Sequence, residues 1–260
     1  MSSRLSIVIA THDRAPYLAR AIRSVKDQGV PGVQLIVVSD LADPATHGVV
    51  SQLLDGDDLF VQRRGVPGPA TSRNLGISLA QGDQVMFLDD DDSFAPGFLE
   101  ALMPHLPAPW DEVLYVDAYV VREHRSPDAV QLQNLGRLDL GEISHEALAV
   151  KNQIPNNCLV FSRRLLRDCP FDPELVLLED WDHLLGALAR GRLRHLPVRG
   201  PVIHQIDPSS GLSRNISNKD RLVDTTLRIY AKWPAPTAQA KAARQAHFAS
   251  AGIELPAPCF

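Results

Sequence analysis

Short apolar runs alternate with amphipathic segments along the first part of the chain. LSIVIA (5–10) is a continuous apolar run of strand length, the pattern of a strand buried on both faces. Asp13 and Pro16 then offer a helix start, and Leu18, Ala21, Ile22 and Val25 follow at helical spacing. QLIVVS (34–39) predicts a second buried strand and LFVQ (59–62) a weaker third. A helix over 69–80 keeps Leu75 and Leu79 on one face, and QVMFL (84–88) predicts the next strand. Phe98, Leu99, Leu102, Met103 and Leu106 mark another amphipathic helix. LADPATHG (41–48) reads as turn-rich.

Strands alternating with helices of this length imply βαβ units, hence an α/β fold with a parallel sheet covered on both faces. Ligands of such sheets collect outside the carboxyl ends of the strands. Polar clusters stand at those ends: THDR after the first strand, SD after the second and DDDD after the fourth. The second half is more mixed. VLYVDAYVV (113–121) and CLVF (158–161) read as strands, while the polar stretch 122–152 gives no assignment. Trp181, Leu184, Leu185 and Leu188 form a helical stripe directly after LLED, with Trp181 opening it as a core residue. From Asp220 the tail is helical, with Leu222, Thr226, Ile229 and Tyr230 on one side. WPAPTAQAKAA (233–243) reads as a linker into a final short helix.

Composition narrows the class. The chain has 260 residues, 45% of them hydrophobic, and a net charge of -5, which suits a soluble globular protein of one large or two small domains. Mild acidity argues against general nucleic-acid binding. Cys158, Cys169 and Cys259 are odd in number, with no CxxC pair, so neither a disulfide framework nor a zinc site is indicated. No apolar run approaches the roughly 20 residues of a membrane span, and LSIVIA is stopped at once by THDR. The cytoplasm is the expected location, with at most peripheral contact at the inner face of a membrane. A homodimer is left open.

Asp89, Asp90, Asp91 and Asp92 are the strongest chemical signal. Consecutive carboxylates repel, and persist cheaply only in a solvated turn or around a cation. A strand ending in Asp-x-Asp aims Asp89 and Asp91 to one side, with Asp92 beside them, and hard oxygen ligands select Mg²⁺ or Mn²⁺. The alternative is a helix cap at Asp92 or Ser93 before APGFLE. His204 and Asp207, in VIHQIDPSSG, are candidates for a further metal or phosphate contact.

LSIVIATHDR, LIVVSD, GPATSRNLGISLAQGD and FLDDDDSFAPGFLE, in that order, resemble the inverting family-2 glycosyltransferases of GT-A fold. IPNNCLVFSRRLL, PFDPEL and LLEDWDHLLGALARG are similar to the acceptor half of that family. The resemblance spans about residues 4–215. It implies a GT-A domain over 1–215, divided into a nucleotide-sugar half (1–110) and an acceptor half (111–215), with a helical extension over 216–260. It implies a divalent ion on Asp89 and Asp91, with Asp92 adjacent and His204 as a further candidate. Donor contacts fall on Thr11, Arg14, Arg73, Asp89 and Asp90, and on Asp40, where the family reads the nucleobase. Glu179 and Asp180 match the acidic pair containing the catalytic base, with Asp180 narrowly preferred. The implied partners are a nucleotide sugar, UDP- or dTDP-linked, and a hydroxyl on a glycan, lipid-linked or small-molecule acceptor.

The chemistry is consistent with that assignment. Expelling a nucleoside diphosphate from an anomeric carbon needs charge neutralised on the leaving phosphate, and the attacking hydroxyl needs a base on the opposite face. A single in-line attack inverts the centre. Some residues depart from the family pattern. Ser39-Asp40 replaces two acids, His12-Asp13 replaces an aromatic and Asn, and the Tyr-Arg-x-His pattern near 204 is absent. The third metal ligand is therefore Asp207, His204 or water. Each residue also has a plainer role: Arg73 as a surface ion pair, Asp40 as a turn residue, Glu179 as a cap of the following helix. The competing functions are a sugar nucleotidyltransferase, disfavoured because no Gly-rich basic loop follows the first strand, and a non-catalytic nucleotide-sugar binder.

Overall fold

The computed structural model describes residues 4–106, 108–126, 129–206, 219–256 and 260. Strands β1 (Leu5–Thr11), β2 (Val33–Ser39), β3 (Leu59–Gln62) and β4 (Gln84–Phe87) lie parallel in the order β3-β2-β1-β4. Helices α1 (Ala15–Lys26), α2 (Pro44–Leu53) and α3 (Pro69–Leu79) make the connections. Leu5, Ile7, Val8 and Ile9 of β1 are buried because β1 has a neighbour on each edge and helices over its faces. The register runs from Leu5↔Val33 to Thr11↔Ser39, and from Leu5↔Gln84 to Val8↔Phe87. It therefore brings Thr11, Asp40 and Asp89 to the same sheet edge.

Two local readings need correction. LADPATHG is the start of α2 rather than a run of turns: Asp43 caps the helix, accepting from the backbone of Ala45 and Thr46, and Pro44 takes the first helical position. The aspartates do not continue a strand. β4 stops at Phe87, and Asp89–Asp92 make a turn closed by the Asp92 amide donating to the Asp89 carbonyl at 3.0 Å. They are not a helix cap either. After β5 (Ser93–Phe94), α4 (Phe98–Leu102) starts behind Gly97 in the left-handed conformation, with no side-chain cap. Pro104 ends α4 in a short 3₁₀ turn, Met103–His105.

The other side of the sheet is mixed. β6 (Glu112–Ser126) pairs with β7 (Ala129–Leu138), so much of the unassigned polar stretch is a long hairpin. Helix α5 (His145–Leu148) follows, then β8 (Leu159–Ser162), α6 (Arg163–Arg167), α7 (Glu179–Leu188) and β9 (Arg192–Ile206). The sheet continues β4-β8-β6-β9-β5, with β8 antiparallel to both its neighbours and β6 parallel to β9. This is the expected α/β class.

Two further helices, α8 (Lys219–Lys232) and α9 (Ala238–Ser250), build a second small core on Trp181. Ile229, Tyr230 and Phe248 pack there. The buried Arg244 lies 3.9 Å from the Tyr230 ring centroid and donates to the Ala149 and Trp233 carbonyls. The expected linker is shorter than WPAPTAQAKAA, because Thr237 caps α9 and the alanines after it are helical. Among the described residues no helix is long and apolar enough to cross a membrane.

Candidate active site

The four aspartates have different partners: Asp90 and Asp91 share Arg14, Asp89 takes Arg73, and Asp92 takes Asn157 and the His204 amide. Asp90 is held inside: Thr11 Oγ1 donates to its Oδ2 at 2.8 Å and Arg14 Nη1 to its Oδ1 at 3.3 Å. Arg14 also reaches Asp91 Oδ2 at 2.5 Å. Burial disfavours the Arg14 charge, but Asp90 and Asp91 outweigh it and raise its pKa. Asp89 Oδ1 instead accepts from Arg73 Nη2 at 2.8 Å.

Asp92 turns down into the protein. Its oxygens accept from Asn157 Nδ2 at 2.6 Å and from the His204 amide at 2.8 Å, so it ties the turn to β9. Burial, with the charges of Asp89 and Asp91, raises its pKa well above the usual carboxylate range. His204 is also below the turn. Its Nε2 lies 2.9 Å from Ser93 Oγ and its Nδ1 3.2 Å from the buried Glu123, which also holds Arg20. Neither Asp92 nor His204 lines the pocket described next. Asp207 falls outside the described residues.

A pocket of about 380 Å³ opens over the turn, with Arg73, Asp89, Asp91, Glu179 and Asp180 in its wall. Arg73 sits on the buried face of α3 and spans it, reaching Glu179 Oε1 at 2.7 Å as well as Asp89. The inward face of α3 carries Ala70, Arg73 and Ile77, while Leu75 and Leu79 lie at its margin. Gly76 lets the helix approach β1: a Cβ there would meet Val8 Cγ1 at 2.3 Å. The Arg73 guanidinium also stands 5.4 Å from the Phe171 ring centroid. Burial opposes its charge, and Asp89 and Glu179 more than compensate, raising its pKa.

Glu179 and Asp180 open α7 behind Leu178, whose φ of 57 is left-handed in a bulky residue. Such a conformation costs on the order of 1–3 kcal/mol and persists where surrounding contacts impose it. The two acids have different partners. Glu179 is paired with Arg73, whereas Asp180 accepts from Asn152 Nδ2 at 3.1 Å and from the Trp181 amide. Burial, then the charge of Glu179, raises the Asp180 pKa to about 6 despite Arg73 nearby.

A second hollow of about 160 Å³ lies beside the first, lined by Thr11, His12, Asp40, Pro67, Gly68 and Ser72. Asp40 frames it, accepting from the Gly68 amide at 2.7 Å and Arg63 Nη2 at 3.3 Å and facing His12 Nδ1 at 2.5 Å. Sequence reasoning missed Arg63, which also donates to Ser72 Oγ and two loop carbonyls. Its only signal was a basic pair at the end of a strand. Asn152 and Asn156 were missed too, inside a stretch that lacked any assignment or was read only as a motif.

The pocket suits a hard divalent cation only in part. The Asp89 and Asp91 side chains are 39% and 26% exposed, and each has a carboxylate oxygen without a hydrogen bond among the described residues. No cluster of three or more His, Cys, Asp or Glu ligands exists among the described residues. Two carboxylates with the remaining positions left to water and phosphate is a donor set typical of Mg²⁺ or Mn²⁺.

The description Glycosyl transferase family 2 matches residues 6–168, more than half of the chain. The chain belongs to this family. It is 35% identical over 103 residues to the GalNAc(5)-diNAcBac-PP-undecaprenol beta-1,3-glucosyltransferase of Campylobacter jejuni. That match covers 38% of this chain and only 33% of the relative. The succinoglycan biosynthesis protein ExoO of Rhizobium meliloti is 26% identical over 239 residues, 87% of this chain and 69% of its own. Among solved structures, S. aureus TarS 1-349 in complex with UDP-GlcNAc superposes with a TM-score of 0.71 at 17% identity. It covers 95% of this chain and 73% of that one, and it carries the GT-A fold. The family match ends at residue 168, short of α7, so Glu179 and Asp180 reach the pocket from beyond the matched residues.

Proposed function

We propose that the protein is an inverting, metal-dependent glycosyltransferase that moves a sugar from a nucleotide-sugar donor, UDP- or dTDP-linked, to an acceptor hydroxyl. The carrying observation is the division of labour among the pocket carboxylates. Asp89 and Asp91 line the pocket with an oxygen each that has no hydrogen bond among the described residues, and Asp180, with its pKa lifted to about 6, lines the same pocket. Asp89 and Asp91 would hold Mg²⁺ or Mn²⁺, which when bound neutralises charge on the departing diphosphate.

In this reading the smaller hollow at Asp40 takes the nucleobase, and Thr11, Arg14 and Asp90 form the floor between base and diphosphate. Arg73 steadies the donor end through Asp89. Asp180 accepts the proton of the acceptor hydroxyl as its oxygen bonds to the anomeric carbon. The carbon–oxygen bond to the diphosphate breaks in the same step, its electron pair leaving with the nucleoside diphosphate. A base near pKa 6 is ionised at neutral pH yet basic enough to take that proton. Attack opposite the leaving group inverts the anomeric centre.

The complex of TarS with UDP-GlcNAc supports the donor class. The names of the Campylobacter and Rhizobium relatives support a lipid-linked or glycan acceptor. Calorimetric titration of UDP, GDP, dTDP and CDP, with and without Mn²⁺, into wild type and Asp91→Ala tests the reading. One nucleotide is expected to bind in a metal-dependent manner that Asp91→Ala abolishes. Binding that ignores both metal and Asp91, or no binding at all, would overturn it. Transfer lost in Asp180→Asn with donor binding retained separates an enzyme from a binder.

A further inference from the structure

Two consecutive asparagines form the 3₁₀ turn Asn156–Cys158 before β8, and both are buried. They are used differently. Asn157 donates to Asp92 and belongs to the frame. Asn156 is 4% exposed and lines the pocket with Arg73, Asp89 and Asp180, yet neither its Nδ2 nor its Oδ1 has a hydrogen-bond partner among the described residues. Folded proteins rarely leave a buried carboxamide with both functions idle. The simplest use for such a group in a pocket wall is a ligand that both donates and accepts.

We propose that Asn156 is a sugar-selecting residue, its Nδ2 donating to one substituent of the transferred sugar and its Oδ1 accepting from an adjacent hydroxyl or N-acylamino group. This rests on the glycosyltransferase reading above. The transferred sugar must lie between the diphosphate and the base, and Asn156 lines the same pocket as Asp89, assigned above to the metal and diphosphate, and Asp180, assigned above as the base. The amide is also neutral among carboxylates. It can read a donor–acceptor pair on a pyranose without adding charge where Glu179 and Asp180 already repel.

The test titrates UDP, UDP-glucose, UDP-galactose and UDP-N-acetylglucosamine, in Mn²⁺, into wild type, Asn156→Leu and Asn156→Ser. Expected is unchanged affinity for UDP in all three proteins. The preferred nucleotide sugar of the wild type should weaken about 10- to 100-fold in Asn156→Leu, and the spread among the three sugars should collapse. An unchanged spread overturns the proposal, as does UDP weakening in step with the sugars, which would mark a structural role. Wild type binding none of the four overturns a UDP-linked donor, and this inference with it. Should Asn156→Leu fail to fold, Asn156→Ser decides by the same two criteria.

Discussion

Arg73 Nη1 lies 2.7 Å from Glu179 Oε1 across a sequence gap of 106 residues, while the same guanidinium holds Asp89. Helix α3 therefore joins the turn after β4 to the start of α7. Arg73→Ala strands two carboxylates beside Asp180 and should cost about 3–5 kcal/mol of stability, read as a lower melting temperature, together with a large loss of transfer. Arg73→Lys keeps the charge but not the fork, and should recover only part of either. Full recovery by lysine would show that the bridging geometry is unimportant.

The raised pKa of Asp180 predicts an acid limb. Its proton acceptance requires the carboxylate, so kcat/KM should fall tenfold per pH unit below about 6 and be flat just above. An activity profile with no inflection between pH 5 and 7, a window set by that pKa of about 6, would count against Asp180 as the base.

The same group should weaken the fold. The folded-state pKa of about 6 lies above the unfolded value, so the folded protein holds this proton more tightly. Its favourable contribution is complete below pH ~4 and is lost as pH rises through about 6. Asp180→Asn should then be inactive yet more stable at pH 7.5, by on the order of 1–3 kcal/mol in denaturant titration. A variant less stable than wild type at that pH would contradict the sign.

Asp91 and Asp92 are neighbours with separable effects. Asp92→Ala removes the acceptor of two buried donors and should lower stability by about 2–4 kcal/mol. Asp91→Ala takes one of two carboxylates from Arg14, which keeps Asp90, and should cost less, about 1 kcal/mol, while removing the Mn²⁺ dependence of nucleotide binding. EDTA should abolish binding in wild type and change nothing in Asp91→Ala. If the two substitutions exchanged these phenotypes, the turn geometry described above would be wrong.

Gly76→Ala asks whether the seat of Arg73 depends on the close approach of α3. The added Cβ must displace Val8 or the helix, at a cost of about 1–3 kcal/mol. A melting temperature equal to wild type would show that the contact gives way freely.

Much of the nucleotide-side architecture was legible in the chain. LSIVIA and LIVVS are apolar without interruption because both faces are covered, and the polar residues after them fall at one edge of a parallel sheet. The 122–152 stretch was not legible. Its hairpin strands carry exposed Val130 and Leu132 among polar residues, so alternation gives no clear inside and outside. Helix α2 was hidden because Asp43-Pro44 and Gly48 are turn formers, and their meaning changes only once the Asp43 carboxylate is seen on the helix amides.

Residue pattern alone established the α/β class, the carboxyl-edge position of the polar clusters and the set of acids available for chemistry. Apolar run length and residue type are local properties, and burial follows from them. Which aspartates face the pocket, which one is locked to Asn157, and which of Glu179 and Asp180 pairs with Arg73 follow from the folded arrangement alone. Those outcomes depend on a turn's geometry and on partners far away in sequence. Asn156 is the sharpest case: beside an identical residue, it differs only in having been left without a partner.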